Sequence, residues 1–236
     1  MVLHPFITGT KEPEDCLVLI VDLQDSTKFY NAPDAEDSVR IYLNHVMKDL
    51  DQMIRGGFPD RSRAQSKSTK GAMPHPDHVK FLGDGFLFIW KTAKLKNRKK
   101  NLMTFIAHLI SYQQKFEDTN NHFLKGDVNK AKLPTAIRYG MAGGHLRMFT
   151  VKGHPEIQEW LGPAINMASR LESYCKELGF LLHDIRILKR KDLEELGFAK
   201  LYARSIRGAD GEVLVYVDHQ AFSTLGKRSA MLFRGL

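Results

Sequence analysis

No stretch of the chain approaches the roughly 20 consecutive apolar residues that cross a bilayer. Its first residues, MVLHPFITGTKEPED, lack the basic-then-apolar order of a secretory leader. A cytoplasmic protein with no membrane partner is therefore expected. Cysteine is almost absent: two residues, Cys16 in an apolar run and Cys175 on a predicted helix, supply neither a disulfide framework nor a zinc pattern. Internal repeats and linker-like composition breaks are missing as well. With 236 residues, 43% of them hydrophobic and 26% charged, the expectation is a single domain with a core over about residues 16–218. An acidic excess is also lacking. The net charge of +8 raises nucleic acid as a partner, since clustered Lys and Arg attract any polyphosphate. The densest run, Lys91–Lys100 (KTAKLKNRKK), has no interleaved aromatics for base stacking and directly precedes a helix, so it reads as a solvated face. A second basic stretch, Arg61–Lys70, reads as part of a loop.

What the chain does contain is centred on Val79–Trp90, VKFLGDGFLFIW. Two apolar runs flank Gly83-Asp84-Gly85, which predicts a β-hairpin with a carboxylate in its tight turn. A second carboxylate, Asp22, ends the apolar run Cys16–Val21 (CLVLIV), the pattern of a central strand. Two aspartates delivered by neighbouring strand ends suggest a metal site, whereas either one alone is compatible with ordinary turn chemistry.

Helical spacing of Val39, Leu43, Val46, Met47, Leu50 and Ile54 predicts a first amphipathic helix, started within NAPDAED and stopped by Gly56-Gly57. Leu102, Phe105, Ile106, Leu109, Ile110, Gln113 and Phe116 predict a second helix. Strand signals return at Thr135–Ala142, with Gly143-Gly144 expected as a turn and His145–Val151 as its hairpin partner. Gly162-Pro163 opens a third helix whose buried stripe is Ala164, Met167, Ala168, Leu171, Cys175 and Leu178. Asn166 and Arg170, one turn apart, lie away from that stripe. An apolar run at Phe180–Leu188, a short helix at Arg190–Leu196 and strands at Ala199–Ile206 and Glu212–Asp218 complete an α/β chain with one mixed sheet.

Three segments, in this order, resemble the class III nucleotide cyclase catalytic domain: VLIVDLQDSTKF, VKFLGDGFLFIW and EWLGPAINMASRLES, with weaker support from GMAGG and RGADGEVLVY. The resemblance implies an α+β fold with a ferredoxin-like mixed sheet flanked by helices and an added loop, Phe58–His78, between the two metal motifs. That loop is either a decoration or a regulatory surface. It also implies conversion of a nucleoside triphosphate to the 3′,5′-cyclic monophosphate and pyrophosphate, with two Mg²⁺ or Mn²⁺ ions about 3.5–4 Å apart. Asp22, Asp84 and the Leu23 carbonyl would hold the metals. Ser26, Thr27 and the amides across Leu23–Thr27 would hold phosphates, and Arg207, with Arg204 as second match, the triphosphate. Asn166 would orient the ribose, and Arg170 would stabilise charge at the α-phosphate. Because the family's sites are shared between subunits, a homodimer with two composite sites is implied. Where the family usually has glycine, this chain has Asp25, which is expected either to turn away or to cap the following turn.

Lys80 and Glu159 fall at the family's base-selecting positions and match neither the adenine nor the guanine convention. A lysine donor beside a carboxylate acceptor suits O4 and N3–H of uracil, and the same groups could meet cytosine or adenine. The compact build and divergent base pair resemble the pyrimidine cyclases of bacterial Pycsar anti-phage defence. That narrower resemblance implies UTP as substrate and cyclic UMP as an alarm for a separate effector, with CTP or ATP as alternatives. A non-catalytic nucleotide-binding module of the same fold is the alternative of another class.

Overall fold

The computed structural model describes residues 7–8, 11–31, 36–59, 72–123 and 133–235. In chain order the elements are β1 (Ile7–Thr8), β2 (Glu14–Gln24), α1 (Ser26–Tyr30), α2 (Glu36–Ile54), β3 (His78–Phe81), β4 (Gly85–Lys91), α3 (Thr92–Leu95), α4 (Lys99–Gln114) and α5 (Phe116–Phe123). They continue with β5 (Ala136–Val151), β6 (His154–Leu161), α6 (Pro163–Tyr174), β7 (Phe180–His183), α7 (Arg190–Glu195), β8 (Phe198–Ala203), β9 (Val213–Asp218), α8 (His219–Ser223), α9 (Lys227–Ala230) and β10 (Phe233–Arg234). The sheet runs β10-β8-β9-β7-β5-β2-β4-β3, with β1 and β6 both paired to the far half of β5. The β5–β7 pair is parallel and the other pairs are antiparallel, so the expected mixed α+β sheet is present.

The unbroken apolar run of β2 follows from its place between two layers. Leu17, Leu19, Val21 and Leu23 face one core with α2 and α4, whereas Cys16, Val18 and Ile20 face a second core with α6. A strand buried on both sides has no polar face to alternate with. By the same period of two, Asp22 emerges on the α6 side of the sheet.

One expectation is corrected here. Gly143-Gly144 is not a turn: β5 runs straight through it, and its hairpin partner is β6, reached across Lys152-Gly153. The glycines serve close packing instead, since a Cβ on Gly143 would lie 2.0 Å from the Asp184 carbonyl oxygen and one on Gly144 would lie 3.3 Å from the Ala164 Cβ. The expected loop Phe58–His78 already enters β3 at His78, and its residues 60–71, which include Arg61–Lys70, lie outside the described residues. Its far flank is tied down, with Met73 N–H donating to Ile54 O at 2.7 Å and Trp90 Nε1 donating to Pro74 O at 2.8 Å.

Three lysines of the basic run near α3 are paired with carboxylates. Lys91 meets Glu14 at 2.8 Å, Lys94 meets Asp77 at 2.6 Å and Lys99 meets Asp192 at 2.5 Å. No described helix is long and apolar enough to cross a membrane.

Candidate active site

The predicted hairpin is β3–β4. Leu82 N–H donates to Gly85 O at 2.9 Å, closing a turn in which Gly83 takes φ +97°. Gly85 stands opposite Asp22, and a Cβ there would lie 2.0 Å from the Val21 carbonyl oxygen. The hairpin therefore presses against the end of β2. Leu23 N–H donates to Asp84 O at 3.1 Å, which places the two aspartates on adjoining strand ends. The half-exposed Asp84 carboxylate accepts from the buried Ser26 hydroxyl at 3.3 Å. The Tyr30 hydroxyl, buried and without a hydrogen bond, is pushed well up in pKa by burial and then by Asp84 and Asp22, so both carboxylates project their field onto one place.

Asp25 sits in the left-handed region, φ 62°, at the start of α1. Its side chain makes no cap. It turns away and accepts from Thr135 Oγ1 at 2.8 Å, which lowers its pKa. A left-handed backbone explains why glycine suits this position and why aspartate, which tolerates that region, can replace it. Thr27 is exposed, one residue into α1, whereas Leu23 is buried.

Two residues beside Asp22 are absent from the predicted set. Arg138, opposite Asp22 on β5, donates from Nη2 to Asp22 Oδ2. Its Nε lies 2.8 Å from Glu172 Oε1 on α6, without hydrogen-bond alignment. Burial pushes Glu172 up to about 7, the neighbouring Asp22 adds to the rise, and the Arg138 guanidinium opposes it. The signal for both was a charge at a position where the strand or helix stripe requires an apolar residue.

Lys80 and Glu159 come together within the one chain: Lys80 Nζ donates to Glu159 Oε1 at 2.6 Å and Oε2 at 2.7 Å. His78, two residues before Lys80 on β3, lies within electrostatic reach of both.

Arg170 and Arg207 line a cleft of about 610 Å³ with Ser169, Ser173, Tyr174, Ser205 and Ile206. Arg170 Nη1 donates to Gly208 O at 3.2 Å, so the β8–β9 turn and α6 shape this wall together. Arg204 is exposed nearby, with Nε 4.0 Å from Glu212. Asn166 is exposed on α6, one turn before Arg170. At about 100° per residue, Arg170 and Asn166 point about 160° and 120° away from Glu172, the α6 residue that faces Asp22.

A mixed sheet covered by helices on both faces, in this strand order, is the fold of class III nucleotide cyclase catalytic domains. The adenylyl cyclase CyaB from P. aeruginosa aligns over 94% of this chain and 99% of its own, with TM-score 0.62 and 16% identity. The guanylyl cyclase Cya2 aligns over 89% of this chain and 93% of its own, with TM-score 0.58 and 15% identity. The guanylate cyclase domain of RhGC from Catenaria anguillulae, solved in complex with GTP, aligns over 89% of this chain and 97% of its own, with TM-score 0.53 and 15% identity. No protein-family model and no curated protein sequence matches the chain.

Proposed function

We propose that the protein is a metal-dependent nucleotide cyclase, with UTP as its substrate and cyclic UMP as its product. The observation that carries the reading is the joint placement of Asp22 and Asp84 on adjoining strand ends of a class III cyclase fold. In the reaction the ribose 3′-hydroxyl attacks the α-phosphorus. A new P–O bond forms, the bond to the pyrophosphate oxygen breaks with its electron pair leaving on pyrophosphate, and the hydroxyl proton is lost.

Mg²⁺ or Mn²⁺ fits the donors present. Among the described residues no three His, Cys, Asp or Glu side chains are gathered closely enough to hold an ion. Two hard carboxylates with a backbone carbonyl suit a cation that keeps water and substrate phosphates as its remaining ligands. Asp22, Asp84 and the Leu23 carbonyl would hold it, and when bound it supplies positive charge to the reacting phosphate oxygens. Ser26, through its bond to Asp84, fixes that carboxylate, and Thr27 with the first amides of α1 faces the phosphates. Arg170 and Arg207, on one cleft, take charge on the triphosphate, and Asn166 orients the ribose.

Asn166 and Arg170 point away from Asp22 on α6, so one copy cannot offer both halves to one substrate. This supports a homodimer with two shared sites.

The Lys80–Glu159 pair supports the choice of base. Side by side, the two groups offer one donor and one acceptor, which match uracil O4 and N3–H. A purine reading is favoured by the adenylyl and guanylyl cyclases that share the fold. An anti-phage alarm is the role the pyrimidine reading suggests. The test is incubation of the protein with each of the four ribonucleoside triphosphates and Mn²⁺, with Asp22→Ala as control. Cyclic UMP and pyrophosphate from UTP are expected. Product from ATP alone removes the pyrimidine and defence reading, and no product from any triphosphate removes the enzyme.

A further inference from the structure

Arg138 and Glu172 lie under the paired aspartates and have no part in the reaction described above. Both side chains are only 10% exposed. The guanidinium is divided between two carboxylates, bonded through Nη2 to Asp22 and facing Glu172 through Nε at 2.8 Å. Buried Nε, Nη1 and Glu172 Oε1 make no hydrogen bond. A guanidinium facing a carboxylate normally closes a two-bond fork. Here the fork toward Glu172 is poised and unmade, while a single bond is spent on Asp22.

We infer that Arg138 is the resident counter-ion of Asp22, holding that carboxylate until a divalent cation takes it, and that Glu172 is the carboxylate onto which the guanidinium then moves. Both are positioning residues that set how readily Asp22 gives itself to a metal. The inference rests on the reading of Asp22 as a metal ligand. Its physical basis is charge competition. A carboxylate as little exposed as that of Asp22, 18%, is costly without a partner, so Arg138 stabilises the metal-free chain. The same positive charge opposes an incoming cation, and Glu172 offsets that opposition by drawing the guanidinium away.

The test is Mn²⁺ binding to the full chain without nucleotide, read from the electron paramagnetic resonance signal of free Mn²⁺. Melting temperatures with and without the metal are measured in parallel. Asp22→Asn first checks the underlying reading: unchanged Mn²⁺ binding there removes the metal site itself, and this inference with it. With that control passed, Arg138→Gln is expected to bind Mn²⁺ about tenfold more tightly and Glu172→Gln about tenfold more weakly. Arg138→Lys, which keeps the charge but cannot make the two-bond fork to Glu172, is expected to fall between wild type and Arg138→Gln. Without metal, Arg138→Gln melts lower than wild type and gains more from Mn²⁺. Shifts in the same direction for the two variants, or none in either, overturn the inference. Should Arg138→Gln not fold, Glu172→Gln decides alone: weaker binding supports the inference, and unchanged or tighter binding overturns it.

Discussion

Lys80 and Glu159, 79 residues apart in the chain, close a two-bond ion pair across β3 and β6, at 2.6 and 2.7 Å. With side chains 42% and 41% exposed, the pair contributes at most about 1 kcal/mol to folding. Removing either partner should therefore leave the melting temperature close to wild type. The effect proposed for the pair is on base choice. Lys80→Ala and Glu159→Ala are each expected to lower kcat/KM for UTP by more than about tenfold and to narrow the gap between UTP and the other triphosphates. Competition among equimolar triphosphates measures this. An unchanged product ratio in both variants removes the pair from base recognition.

Asp84 and Asp22 have different surroundings despite the shared role proposed for them. Asp84 takes a bond from Ser26, whereas Asp22 is tied to Arg138. Asp84→Asn is expected to leave the fold intact and to reduce cyclisation by about 10²-fold or more. Ser26→Ala, which frees Asp84 to rotate and removes one hydroxyl from the proposed phosphate loop, should cost about tenfold or less. Initial rates at saturating Mn²⁺, with circular dichroism as the folding control, separate the two.

Much of this site was legible in the sequence because its turn chemistry is local. Gly83-Asp84-Gly85 between apolar runs specifies a hairpin, and CLVLIV specifies a strand with two buried faces, so Asp22 and Asp84 could be placed before any packing was known. Proline after Gly162 fixed the start of α6, and with it the outward direction of Asn166 and Arg170. Arg138 and Glu172 could not be read this way. Each is a charge inside an apolar stripe, and only packing of α6 on β5 shows that they meet. Gly143-Gly144 misled for a related reason: glycine permits a turn and also permits close approach, and local sequence does not distinguish the two. Asp25 was legible in part: of the two expectations, turning away holds and capping the following turn does not, and its partner Thr135 is 110 residues away.

The close approach at Gly143 has a measurable cost. A Cβ there would meet the Asp184 carbonyl oxygen, which is backbone and cannot rotate aside. Gly143→Ala is expected to destabilise the protein by about 2–4 kcal/mol, read as a fall in the urea midpoint with an unchanged slope. Gly153→Ala is the comparison: nothing lies within 4 Å of its Cβ, and the cost comes from φ +81° alone, about 1 kcal/mol.

Acid should weaken the fold through His108. The ring is half-buried on α4, 5.6 Å from the Phe58 ring, and its buried Nδ1 makes no hydrogen bond. Burial lowers its pKa below the ordinary histidine value. The unfolded chain then takes up the proton near pH 6.5 while the folded chain does not. Stability present above that pH is lost as pH falls, until the folded ring titrates in turn. His78, lowered mainly by burial, adds to the same trend. His108→Phe keeps a ring of similar size against Phe58 and removes the proton site. Glu172, raised to about 7, works in the opposite sense and gains stability as pH falls, so the histidine contribution is read as a difference: the change in urea midpoint from pH 7.5 to 5.5 should be more favourable for His108→Phe than for wild type. An equal change in both proteins shows that His108 does not contribute.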